Sequence, residues 1–246
     1  MHRHLVLRLE APLVSFGGEA IDNLGVIRPF PAKSMITGLL ANAAGIERYE
    51  CEVLQSLQDN LVMGSRIQQD RQLLRDFQTA ELSKSDQGWT THEEVEGRGG
   101  GTASYLGPHL RRRDYWTDAH VTVVLRVLPG SPFTIGEIAE ALQHPARPLF
   151  LGRKTCIPSS PVYNGDVLAP SISAALIALF DTGFLNTDLS FQWPAFEEPG
   201  DAELLSQFPD ARLEPVCDER NWITGVHCGE RLVRVLDLNQ GVWGKP

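Results

Sequence analysis

The stretch Arg28 to Gly45, R-P-F-P-A-K-S-M-I-T-G-L-L-A-N-A-A-G, constrains the fold more than any other part of the chain. Met35, Ile36, Leu39, Leu40 and Ala43 recur at helical spacing, so the segment must bury that face against a second layer. Gly45 suits the left-handed residue that closes a helix. Upstream, Leu5 to Leu9 reads as a strand and Ala11 to Asn23 as a loop. Lys33, Ser34 and Thr37 fall in the first helical turn, where unpaired backbone N–H groups and the helix dipole favour an anion. Strand, irregular loop and basic helix start can therefore cradle a phosphate. An ordinary core helix with solvated ends fits the same residues.

Glu50 to Leu57 predicts a second short helix. Leu61 to Gln68 and Gln72 to Thr79 predict two strands joined by a tight polar turn at Gln69 to Arg71. Ala80 to Thr117 is weakly hydrophobic and carries Gly97, Gly99, Gly100, Gly101 and Gly107. So long a run without core periodicity predicts a projecting insertion. Asp118 to Leu128 is the clearest strand, and Pro129-Gly130 breaks it. Thr134 to Leu142 predicts a helix capped by Thr134, and Arg147 to Leu151 a strand ending in Gly152-Arg153-Lys154-Thr155.

This order is an elaborated βαββαβ pattern, which predicts an α+β fold: a ferredoxin-like or RNA-recognition-type antiparallel sheet with helices on one face. After Pro158, prolines punctuate short apolar pieces. Ser171 to Phe180 predicts a helix; Trp222 to Val226 and Leu232 to Leu236 predict late strands pairing around Gly229. The expected organisation is a domain over 1–158, with an insertion at 80–117, and a small β-rich domain over 159–246.

At 246 residues a full core can form, and 42% hydrophobic with 22% charged residues is the balance of a soluble globular protein. No apolar run approaches a membrane span, and M-H-R-H-L-V-L-R-L-E lacks the architecture of a signal peptide. Cys51, Cys156, Cys217 and Cys228 are scattered, as reduced cytoplasmic thiols would be. The net charge of −9 is concentrated between Asp181 and Glu219, where ten acids face one base, Arg212. The rest is neutral and can carry a basic groove, with the acidic segment expected away from it.

The Gly152-Arg153-Lys154 loop lacks the earlier glycine of a nucleotide-binding P-loop, because residue 147 is Arg. A glycine followed by two bases can still hold a phosphodiester, and it can equally be a solvated turn. Arg111, Arg112 and Arg113 stand beside Tyr115 and Trp116, a set that pairs with phosphates and stacks on unpaired bases. Catalytic signals are thin. His92 and His109 lie in the insertion, and His120 lies in a strand. Glu93-Glu94 and Glu197-Glu198 read as solvated charge. His227-Cys228 with Cys217 lacks zinc-ligand spacing, so no metal or cofactor is expected.

Five segments together resemble a known family: L-R-L-E-A-P-L-V-S-F-G (7–17), R-P-F-P-A-K-S-M-I-T-G-L-L-A-N-A-A-G-I (28–46), R-D-F-Q-T (75–79), R-D-Y-W-T-D-A (113–119) and L-F-L-G-R-K-T-C-I-P-S-S-P (149–161). They are similar in order and spacing to the CasD subunits of type I-E CRISPR Cascade complexes, within the RAMP superfamily. The resemblance implies a ferredoxin-like domain with a long β-hairpin thumb, a small C-terminal domain and a non-catalytic role. It also implies binding to the 5′ handle of CRISPR RNA and contacts with the CasC backbone subunit and the large CasA subunit. Target DNA would be engaged only indirectly, through the complex.

By position, the resemblance implies RNA contacts at Arg113, at Ser15, Phe16 and Gly17, at Lys33 and Ser34, and at Gly152, Arg153 and Lys154. Arg28, Arg111 and Arg112 complete the candidate set. Gln78 stands where the family motif carries His, which weakens a nuclease reading. Two other readings stay open. One is a metal-independent CRISPR-repeat endoribonuclease using His109 or His92 with a lysine. The other is a purely structural contact module.

Overall fold

Side chains of a strand alternate between faces, and β1 (His2–Val14) is buried on both. Leu5, Leu7 and Leu9 point into one core, while His4 and Val6 are buried on the opposite face. The sheet is therefore a middle layer. The computed structural model describes residues 1–18, 24–68, 71–81, 88–89, 94–96, 109–179, 189–196, 198–199, 201–227 and 229–238.

The chain continues through β2 (Leu24–Gly25), α1 (Lys33–Ala44), α2 (Cys51–Asp59), β3 (Leu61–Gln68), β4 (Gln72–Ala80), β5 (Gly88–Trp89), β6 (Val95–Glu96) and β7 (His109–Val127). Then come α3 (Ile135–Gln143), β8 (Tyr163–Ala169), α4 (Ile172–Ala178), β9 (Leu189–Pro194), α5 (Asp201–Gln207), β10 (Arg212–Val216) and β11 (Arg231–Leu238). The main sheet runs β10-β11-β9-β3-β7-β1-β8, with β2 and β4 on the outer half of β7. All pairings in it are antiparallel except β2 with β7. It runs unbroken past residue 158, because β8 pairs with β1 and β9 pairs with β3.

Helices α1 and α3 cover one face with Ile36, Leu40, Ile138 and Leu142, against Leu7, Met63, Val123 and Leu125. Helix α4 covers the other with Ile172 and Leu176, against Val62, Val124, Phe191 and Trp193. The expected caps form. Gly45 is left-handed, and Thr134 makes a reciprocal capping box with Glu137.

Several predicted strands are placed differently. Arg147–Leu151 is not a strand, since the N–H of Leu151 donates to Cys156 O at 2.7 Å and closes a turn instead of a ladder. The strand that follows α3 is β8. Trp222–Val226 is a turn built by Asn221, whose Oδ1 accepts from the N–H groups of Ile223 and Thr224. The late strand β11 pairs instead with β10 and β9. Strands β3 and β4 do not form a hairpin with each other; each pairs with a different half of β7. Asp118, at φ 48°, separates those halves. Residues 109–117 of β7 and β4 form a ribbon beyond the sheet. His92, Glu93, Gly97, Gly99, Gly100, Gly101 and Gly107 lie outside the described residues, as do Gln69, Asp181, Asp188, Glu197 and Cys228.

Glu198 is not solvated charge. Its side chain is buried against Arg126, and it accepts the N–H of Ile172 at the start of α4 at 2.9 Å. Among the described residues no helix is long and apolar enough to cross a membrane, and no cluster of His, Cys, Asp or Glu could hold a metal.

Candidate nucleic-acid interface

Three loops meet over the amino end of α1. The first follows β1. Ser15 N–H donates to Leu151 O at 3.1 Å, and Arg28 N–H donates to Phe16 O at 2.6 Å. The second is the Gly152 turn. Gly152 has φ 93°, and a Cβ there would stand 1.8 Å from Ser15 O, so only glycine lets the two backbones touch. The third is the 217–227 segment, which folds back from β10.

Between them lies a groove of about 510 Å³, lined among others by Ser15, Gly17, Ser34, Gly152, Arg153, Arg48, Arg220, Trp222 and His227. A neighbouring hollow of about 390 Å³ shares Gly17, Ser34 and His227 and adds Arg28 and Asp218. The fold thus gathers six of the sequence candidates from three distant segments. Phe16 is fully buried and supports the loop from within.

Three candidates are committed to the protein itself: Arg28, whose Nη2 donates to Cys217 O at 2.7 Å, with Arg153 and Lys33. The Arg153 guanidinium donates to Asp114 O at 2.9 Å and Gly25 O at 3.0 Å, and lies 4.7 Å over the Tyr115 ring. It ties the Gly152 turn to β7. At the start of α1 the expected anion is already present. Asp218 Oδ2 accepts the Lys33 N–H at 3.1 Å, Asp218 O accepts the Ser34 N–H at 3.0 Å, and Lys33 Nζ pairs with Glu219 at 2.8 Å. Asp218 is itself held by both arms of Arg231 at 2.7 Å. The acidic segment was expected away from the basic groove, yet its end forms part of the groove wall. The chain reversal after β10 brings it there.

Sequence reasoning missed Arg48, Arg220, Trp222 and His227, which become neighbours only when 217–227 packs on α1 and α2. Trp222 Nε1 donates to Gln58 Oε1 at 3.0 Å, and its N–H donates to Gln55 Oε1 at 3.0 Å. Arg220 stacks 5.2 Å from its ring. Among the described residues neither Arg48 nor Arg220 has a carboxylate partner. Burial and the Arg48 charge push the Arg220 guanidinium below its usual range. His227 is likewise pushed down, by desolvation first and then by Arg220 and Arg28. Desolvation comes first in both shifts and the neighbouring cations follow, so Arg48, Arg220 and His227 cluster positive charge where a polyanion could bind.

The ribbon is a separate basic feature. Arg113 shares a face with Tyr115 and Arg111, and exposed Arg112 shares the other with Phe77. Neither Arg112 nor Arg113 has an ion-pair partner among the described residues, whereas Arg75 clamps Asp114 at 2.8 Å and 3.2 Å. Exposed Lys154 follows Arg153 in sequence and likewise has no partner among the described residues.

The family description "CRISPR-associated protein (Cas_Cas5)" matches residues 4–234. The chain is 28% identical over 186 residues to the "CRISPR system Cascade subunit CasD" of Escherichia coli (strain K12), an alignment covering 72% of this chain and 77% of that relative. A chain of a solved "CRISPR RNA-guided surveillance complex" superimposes with TM-score 0.63 at 18% identity, covering 95% of this chain and 89% of that one. A further structure, "Crystal structure of Cas protein", gives TM-score 0.58 at 23% identity, covering 97% and 96%. The two structural likenesses bear on the fold.

Proposed function

The chain belongs to the CRISPR-associated Cas5 family, and we propose that it is a non-catalytic subunit of a Cascade-type surveillance complex that clamps the 5′ handle of CRISPR RNA. The observation that carries this reading is the groove over α1, where Arg48, Arg220 and His227 converge beside Trp222 with no carboxylate in the lining among the described residues. Arginines hold a phosphodiester backbone, and an anchored indole stacks an unpaired base. Guide pairing would supply sequence specificity, leaving position and shape to the protein.

The strand order β8-β1-β7-β3, with α1 and α3 on one face, supports the ferredoxin-like description. The β4–β7 ribbon, with Arg111, Arg112 and Arg113, takes the role of the thumb at the bend of the RNA. In the proposed assembly, the partners are the backbone subunit CasC and the large subunit CasA, and the setting is the cytoplasm. The lining of the larger groove holds one histidine and, among the described residues, neither a lysine nor a carboxylate to complete an acid–base pair with it, which favours binding over cleavage.

The test is co-expression with Cascade subunits and a repeat–spacer transcript, followed by pulldown and sequencing of bound RNA. A constant 5′ handle, lost from Arg48→Gln with Arg220→Gln, supports the clamp. Metal-independent cleavage of repeat RNA by the pure protein in EDTA would replace it with the endoribonuclease reading.

A further inference from the structure

Among the described residues, Arg71 is a guanidinium without an acid. It lies 4.3 Å over the Trp116 ring and donates one N–H to Pro29 O at 2.8 Å. Burial pushes it down to about 10. Its remaining donors have no protein partner among the described residues. It lines a pocket of about 410 Å³ on the α1 side of β3, β9, β11 and β10, walled by Arg28, Pro29 and Phe30. Trp116 Nε1 donates to Arg28 O at 2.9 Å, so ring and ridge form one rigid wall.

The acids of this pocket are spoken for. Asp218 is held by Arg231 and the N–H of Lys33. Asp237 and Glu214 both pair with Arg212. Among the described lining residues Arg71 presents a charge with no carboxylate partner, and its fork of N–H groups matches a phosphate. Arg28 and Asp218 line both this pocket and the smaller hollow of the groove, so the two spaces adjoin across the 28–30 ridge.

We propose that this pocket is a second phosphate subsite, which takes a backbone phosphate of the same single strand after it passes over the Arg28–Phe30 ridge, with Arg71 as its ligand. The inference rests on the groove reading, and it adds a direction and a length to the bound strand.

The test is equilibrium binding of labelled single-stranded RNAs of about 4 and about 16 nucleotides, the range of such sites, to the full chain across a salt series. Wild type should bind the longer RNA more tightly. Arg71→Gln should weaken the longer one about tenfold and leave the shorter within about twofold, and should lower the salt slope by about one. Arg71→Lys keeps the charge and should recover part of the loss.

A uniform weakening of both RNAs, accompanied by a lower melting temperature, would overturn the subsite and make Arg71 a structural tie. Equal affinity of the wild type for both lengths would overturn it also. Binding of neither RNA by the wild type, or indifference to Arg48→Gln with Arg220→Gln, would instead sink the groove reading beneath it.

Discussion

The Asp218 carboxylate accepts the backbone N–H of Lys33 at 3.1 Å, so the amino end of α1 is capped by an anion that the chain supplies from 185 residues away. The same carboxylate binds both arms of Arg231. One buried acid therefore joins α1 to β11 and sets the position of the 217–227 wall. Asp218→Asn leaves Arg231 without its partner. The expected cost is about 3 kcal/mol, the scale for breaking a desolvated pair by removing one member, read as a lower urea midpoint. An unchanged midpoint would show that α1 does not depend on this tie.

Arg153 and Lys154 are adjacent in sequence and opposite in role. Arg153 spans the carbonyls of Asp114 and Gly25, whereas Lys154 is exposed and has no partner among the described residues. Arg153→Ala should destabilise by about 2 kcal/mol through lost charge-assisted bonds and ring packing. Arg153→Lys should not restore it, because an ammonium cannot span both carbonyls in one plane. Lys154→Ala should leave the urea midpoint unchanged and reduce RNA retention. Paired denaturation and filter-binding curves separate the two.

Trp222 is fixed by Gln55 and Gln58 before any ligand arrives. A pre-ordered ring stacks a base at little entropic cost, so Trp222→Ala should weaken RNA binding by about 1–3 kcal/mol. Trp222→Phe should retain more of it while losing the bond to Gln58. Equal affinity in all three proteins would remove stacking from the account.

Two histidines give acid sensitivity of different kinds. His4 is fully buried, with neither ring nitrogen hydrogen-bonded among the described residues, and burial followed by the Arg126 charge pushes it below its ordinary value of 6.5. The unfolded chain then binds this proton more readily than the folded one. The contribution is fully present above about pH 6.5 and is lost as pH falls towards the folded value. His4→Leu should flatten that part of a melting-temperature profile. His227, at the groove rim, is also held down, and a phosphate beside it would raise it again. RNA affinity should therefore rise as pH falls below about 6.5, and His227→Gln should remove the rise. A pH-independent affinity in the parent protein would place the phosphate elsewhere.

The local units of the fold were legible because each declares itself over a few residues. The apolar spacing of α1, the Thr134 cap, the Gly45 stop and the alternation of Val121, Val123 and Leu125 are short-range signals. The glycine at 152 was legible too, although its reason was not: the turn needs it because Ser15 O lies against it. Arg147–Leu151 reads as a strand because Leu149, Phe150 and Leu151 form a short apolar run, yet Leu149 and Phe150 are only half-buried, and an apolar run does not say whether an N–H meets a ladder or a turn.

The site divides in the same way. Sequence was sufficient to single out Ser15, Gly17, Ser34 and Gly152 as candidates, since loop chemistry and family resemblance are both written locally, and the fold brings the four to one groove. Only the tertiary structure determined that Arg153 would bind carbonyls, that Asp218 would occupy the helix end, and that Arg48, Arg220, Trp222 and His227 would share one groove. Those outcomes depend on a reversal after β10 that brings 217–227 onto α1 and α2. A charge pattern cannot report it, because Coulomb and hydrogen-bond energies depend on distances in space, and residues far apart in sequence acquire those distances only when the layers close.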